Sequence, residues 1–85
     1  MYRVEFTSEA EYDLSRLNKP VAQRVLKKIR WLAENFEAIT PEPLTGDLKG
    51  FYKLRVGDYR VFYTFGPDEL IIHLVQHRRE VYKNK

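Results

Sequence analysis

The chain has no cysteine. This excludes a disulfide-stapled secreted scaffold and a thiolate zinc site, and it suits a reducing compartment, so a cytoplasmic location is expected. No apolar run approaches the roughly 20 residues needed to span a bilayer. The opening residues MYRVEFTSEAEYD lack the apolar core of a signal peptide, so no membrane association is expected. Other chemistries are missing too. There is no paired-carboxylate site, no glycine-rich phosphate loop and no nucleophile elbow. His73 and His77, the two histidines, are four apart, which on a strand is about 13 Å, too far for one metal ion. No cofactor and no metal are expected. There is no internal repeat and no low-complexity segment.

What remains is a chain of 85 residues, read as a single domain over 1–85. A domain this small buries only about 60–65% of the surface its unfolded chain exposes, so its stability margin is thin. Its charge is unevenly spread. Residues 1–48 carry 7 basic and 8 acidic side chains, whereas residues 49–85 carry 8 basic and 4 acidic ones and both histidines. A basic surface rich in aromatics attracts a phosphate backbone with stackable bases, although small proteins are often unevenly charged for no such reason.

Tyr2-Arg3-Val4-Glu5-Phe6 alternates apolar and charged residues, the pattern of a half-buried strand. Ser8 followed by Glu11 matches a capping box, so a helix is predicted from Ser8, with Ala10, Leu14 and Leu17 on its apolar face, ending near Asn18. A second helix is predicted over 20–36. Pro20 opens it, and Val21, Val25, Leu26, Ile29, Leu32, Ala33 and Phe36 keep a helical period. Its other face carries Gln23, Arg24, Lys27, Lys28 and Arg30, which reads most simply as a solvated surface. Residues 37–50 hold two of the four prolines and two of the four glycines and read as an irregular crossing. Strands follow over 51–56, 59–65 and 70–76, joined by the short turns Gly57-Asp58 and Gly66-Pro67-Asp68. The expectation is an α+β fold, β-α-α-β-β-β, with an antiparallel sheet and both helices on one face.

Strand alternation sorts the basic residues. Tyr52, Leu54 and Val56 turn toward the helices, and Phe51, Lys53 and Arg55 turn away. The tight turn returns Arg60 beside Arg55 or Lys53. Adjacent like charges destabilise a sheet. Either these cations hold a phosphate, or each reaches separately into water or pairs with an acid outside the run. The ending QHRREVYKNK adds His77, Arg78, Arg79, Tyr82 and Lys83, read either as part of the same site or as a basic tail. His73 reads as a packed residue.

The stretch LTGDLKGFYKLRVGDYRVFY followed by VQHRREVY resembles the RelE/ParE toxin superfamily over essentially the whole chain, and is most similar to its RelE-type mRNA interferase branch. The resemblance implies a type II toxin that acts as a ribosome-dependent, metal-independent endoribonuclease. Such an enzyme cleaves mRNA in the ribosomal A site by attack of the RNA's own 2′-hydroxyl. It also implies a RelB-like antitoxin partner, the 70S ribosome and mRNA as targets, and a toxin–antitoxin complex that binds operator DNA. By resemblance, Lys53 supports the scissile phosphate and Arg60 stabilises the developing charge. Arg78 assists the leaving 5′-oxygen, and Tyr82 stacks on the base. Lys49, Lys53, Arg55, Arg79 and Lys83 would contact RNA. Arg55 stands where related toxins have a lysine assigned as general base, and an arginine does not serve as one. Lys53 or His77 then takes that work, or positioning and charge suffice. The alternatives are a ParE-like inhibitor of DNA gyrase and a non-catalytic nucleic-acid-binding module.

Overall fold

The computed structural model describes residues 1–79. In chain order its elements are β1 (Arg3–Phe6), α1 (Ser8–Ser15), α2 (Lys19–Asn35), β2 (Glu42–Pro43), β3 (Tyr52–Val56), β4 (Tyr59–Phe65) and β5 (Glu69–His77), with single 3₁₀ turns at Phe36–Ala38 and Gly46–Leu48. Five strands form one sheet in the order β1-β5-β4-β3-β2. Both helices supply core residues to one face of it, as expected.

The sheet is mixed rather than antiparallel. β3, β4 and β5 form the expected meander, but β1 runs parallel to β5, in register from Arg3 opposite Glu69 to Phe6 opposite Ile72. The helices and the crossing carry the chain to the far edge of the sheet, and the meander walks back until β5 lies beside β1. A parallel pair always needs such a long connection. The crossing, predicted irregular, also contains a short strand. Pro41 and Pro43 hold the residues before them extended, and proline is tolerated at a sheet edge. Glu42 and Pro43 accordingly pair with Lys53 and Tyr52.

The helices start where their caps lie. The N-cap of α1 is Thr7, not Ser8. Its hydroxyl oxygen accepts from the Ala10 N–H at 3.1 Å and donates to the His73 carbonyl at 3.2 Å, which ties the helix start to β5. The chain leaves α1 at Arg16, earlier than predicted. Asn18 caps α2 through the Val21 N–H, and Pro20 sits in the first turn, where its missing N–H costs nothing. At the β3–β4 turn Gly57 takes φ +58° and Asp58 a negative φ, the pattern of a type II′ hairpin turn.

The core joins Ala10, Val25, Ile29, Leu32, Ala33 and Phe36 of the helical layer to Leu54, Val56, Val61, Tyr63, Leu70, Ile72 and Val75 of the sheet. Leu32 is fully buried. Leu32→Ala is expected to cost about 3–4 kcal/mol through lost burial and the cavity left behind. That is a large share of the roughly 5–10 kcal/mol a domain of this size has. Urea unfolding should show a lower midpoint with an unchanged slope. Burial, reinforced by nearby Tyr52 and Glu42, pushes the Tyr63 phenol up to about 12. In the unfolded chain it returns to the usual 10.0. The neutral phenol's contribution is therefore fully present below pH 10 and is lost as pH rises from about 10 to 12. Circular dichroism across that window should show Tyr63→Phe losing less stability than the parent.

Candidate functional site: a basic sheet face

The sheet face turned away from the helices has an apolar floor and a cationic rim. Phe62, almost completely buried, lies between Lys53 on β3 and Leu74 on β5. His73 is half-buried beside it. Its Nε2 meets the Thr64 hydroxyl at 2.8 Å, and its ring packs edge-on to Phe51 with centroids 5.0 Å apart. This is a packed histidine, as read.

Two rows of side chains cross this face. In one, Arg55 stands directly opposite Arg60, which in turn faces Gln76. The Nη1 of Arg60 donates to the carbonyls of Tyr59 at 3.2 Å and Gly57 at 3.4 Å, so the guanidinium is braced against the turn. Among the described residues its Nε and Nη2 have no hydrogen-bond partner, which leaves two N–H donors of the kind that bind phosphate. Among the described residues Arg55 has no ion pair. The second row lies two residues along, about 7 Å away. In it Lys53 Nζ is 3.3 Å from the Glu42 carboxylate. Lys53 is half-buried and Glu42 exposed. Glu42 is the acid that sequence reading did not place. The signal was Pro41-Glu42-Pro43, whose extended geometry makes an edge strand next to Lys53.

His77 does not join this face. Beyond Ile72 the pairing shifts. Tyr63 faces Ile72 but Phe62 faces Leu74, so His73 is an extra residue in β5. A bulge of one residue reverses the alternation. Val75 and His77 therefore turn toward the helices, with Val75 in the core and the His77 ring edge-on to Tyr59 at 5.2 Å. His77 Nδ1 accepts from the Arg79 N–H at 3.2 Å, a capping role at the end of the strand. Asp13 reinforces the shifted strand, its carboxylate accepting from the Val75 N–H at 2.9 Å.

Arg78 lies at the end of β5 beside the β3–β4 turn. Its N–H donates to the Asp58 carbonyl at 2.8 Å, and its Nη1 is 3.9 Å from the Asp58 carboxylate. Arg79 is exposed. Lys49 is exposed after the second 3₁₀ turn and makes no ion pair with a described residue. Tyr82 and Lys83 lie outside the described residues. The structure thus brings Lys53, Arg55 and Arg60 together, adds Glu42, sets Arg78 at the border, and places His77 on the other face. Among the described residues no group of three or more His, Asp or Glu is arranged to hold a metal ion, and no helix is long and apolar enough to cross a membrane.

Comparison with known proteins supplies the family. The chain is 29% identical to a chain of the RelBE2 toxin–antitoxin complex of Mycobacterium tuberculosis, with a TM-score of 0.79, covering 91% of this chain and 98% of that one. A chain of the RelB–RelE antitoxin–toxin complex of Methanococcus jannaschii superposes with a TM-score of 0.70 at 21% identity, covering 94% and 96%. A chain of the YoeB–YefM complex of Staphylococcus aureus does so at 0.71 and 20% identity, covering 91% and 97%. At such identities the last two speak for the fold. No curated protein matches the chain. A family model described as the ParE toxin of the type II toxin–antitoxin system parDE matches residues 4–82. The chain belongs to the ParE toxin family of type II toxin–antitoxin systems, within the RelE/ParE superfamily.

Proposed function

We propose that this toxin is a ribosome-dependent endoribonuclease that cuts mRNA in the A site. The observation that carries the reading is the Arg55–Arg60 cross-strand pair, two cations opposed on one sheet face with no carboxylate among the described residues facing them in their row. In the reaction the 2′-hydroxyl oxygen bonds to phosphorus and the bond from phosphorus to the 5′-oxygen breaks. The products are a 2′,3′-cyclic phosphate and a 5′-hydroxyl. Arg55 and Arg60 stabilise the charge that builds on the phosphoryl oxygens. The chain's own cations thus do the work a metal would otherwise do. Arg78 reaches in from the border to the 5′-oxygen, and Tyr82 supplies the stacking surface.

The 2′-hydroxyl proton needs an acceptor. Arg55 and Arg60 cannot be one, and His77 is on the other face. A carboxylate is an acceptor by its lone pairs, whereas the Lys ammonium is a donor only. We assign the acceptor to Glu42, with Lys53 orienting it and holding the scissile phosphate beside it. This replaces Lys53 and His77 as candidate bases.

The test is incubation with programmed ribosomes, the message being read by primer extension. An A-site cut is expected. An uncut message with translation unaffected would sink the reading. The family model, described by the ParE name, favours a second reading, inhibition of DNA gyrase. Loss of supercoiling activity with purified toxin, and no cut message, would select it. A cognate antitoxin, RelB-like, is the proposed protein partner, supported by the antitoxin complexes among the structural relatives. The pair is proposed to act in the cytoplasm and to bind operator DNA.

A further inference from the structure

The basic face of α2 is not one solvated surface. Arg30 turns with Leu26 toward a cavity beside Met1 and β1. Arg24, Lys27 and Lys28 turn the other way. With Trp31 they occupy positions i, i+3, i+4 and i+7, a single stripe along the helix. That stripe lines a groove of about 490 Å³, completed by Arg55, Val56 and Gly57 of the hairpin. Among the described residues no carboxylate lines the groove.

Two features join the stripe to the sheet. β2 pairs with Tyr52 and Lys53, and among the described residues no strand pairs with the sheet edge from Leu54 to Val56. The side chain of Arg24 closes over the turn, its Nη1 3.9 Å from where a Cβ on Gly57 would stand. Around this edge the cations of the helix meet Arg55, and through Arg55 they meet Arg60. Lys28 is fixed as well, its Nζ resting 3.9 Å from the centre of the Trp31 ring. Arg3, Lys53 and Arg78 each have a carboxylate within ion-pair distance, but Arg24, Lys27, Lys28 and Arg55 have none among the described residues. Like charges three and four apart on a helix repel. Four of them around one groove make a site for a polyanion.

We propose that this groove is a second phosphate-binding surface that anchors the backbone of a folded RNA, continuous through Arg55 with the proposed cleavage site. It deepens the endoribonuclease reading, because a toxin that cuts only on the ribosome needs a hold on structured RNA apart from the strand it cuts. An RNA duplex offers what the groove lacks, a dense row of phosphates. The stripe spans about 10 Å from Arg24 to Trp31 at the helical rise, enough for two or three successive contacts.

The test does not require cleavage. A fluorescein-labelled RNA hairpin is titrated with full-length toxin at several salt concentrations, and anisotropy gives the affinity. The variant carries Arg24→Gln, Lys27→Gln and Lys28→Gln. Each lost phosphate contact lowers the slope of log affinity against log salt by about 0.7–0.9, so a drop of about two is expected. Binding at low salt should weaken at least tenfold. If the triple variant melts early in circular dichroism, Lys27→Gln alone, at an exposed position, should lower the slope by about 0.7–0.9. An unchanged slope and affinity would overturn the proposal. So would binding of poly-glutamate with equal affinity and equal sensitivity to the same substitutions, which would give the groove to an acidic protein. If the toxin never cuts RNA yet the slope falls as stated, the endoribonuclease reading fails and the anchor stands.

Discussion

Arg60→Ala is expected to lower single-turnover cleavage on programmed ribosomes by a hundredfold or more while leaving the fold intact. Removing one preorganised donor from a developing oxyanion typically costs on the order of 10² to 10³ in rate. Arg60 fits that role because its donation to the Tyr59 and Gly57 carbonyls fixes the guanidinium before substrate arrives. Arg60→Lys keeps the charge but loses both the brace and the fork. It should recover little of the rate, which separates geometry from charge. A merely electrostatic role in RNA binding would show as weaker ribosome affinity with the rate at saturation unchanged. Equal activity in Arg60→Ala would break the site assignment even in a protein that cuts RNA.

Glu42→Gln should be as damaging, by a different route. Loss of a general base typically costs 10²- to 10⁴-fold. The glutamine keeps the size and a hydrogen-bonding oxygen but cannot take the proton. Ribosome binding should not fall, because the change frees Lys53 from its 3.3 Å partner and removes a negative charge that competes with phosphate. Salt bridges of this partly exposed kind contribute about 0.2–1 kcal/mol, so affinity should rise by no more than about fivefold. Rate and binding therefore move in opposite directions. A variant with tighter binding and undiminished cleavage would reduce Glu42 to a competitor for Lys53 and return the search for a base to other groups.

Much of this site was legible from local pattern. The bounds of β4, the tight turn and the alternation of Lys53, Arg55 and Arg60 follow from period-two residues and one glycine, and of the two neighbours expected for Arg60, Arg55 or Lys53, the structure selects Arg55. Proline and apolar spacing located α2 within a residue at each end. Three features were hidden for separate physical reasons. The pairing of β1 with β5 joins residues 66 apart, and nothing local marks the direction in which distant strands meet. The bulge at His73 has no glycine or proline to announce it, yet it turns His77 to the helix side. Thr7 and Ser8 are both good caps, and the choice fell to the one that also reaches the His73 carbonyl.

The strand order has a consequence for when this protein comes into being. β5, the last of the five strands in chain order, lies between β1 and β4 and supplies core residues Leu70, Ile72 and Val75. A nascent polypeptide lacking it leaves β1 with no neighbour and one flank of β4 bare. Contacts across such sequence distances close late and slowly. The domain can therefore mature only once β5 itself has been synthesised, so the machine that builds the toxin must carry the chain past residue 77 before the toxin has a shape with which to act.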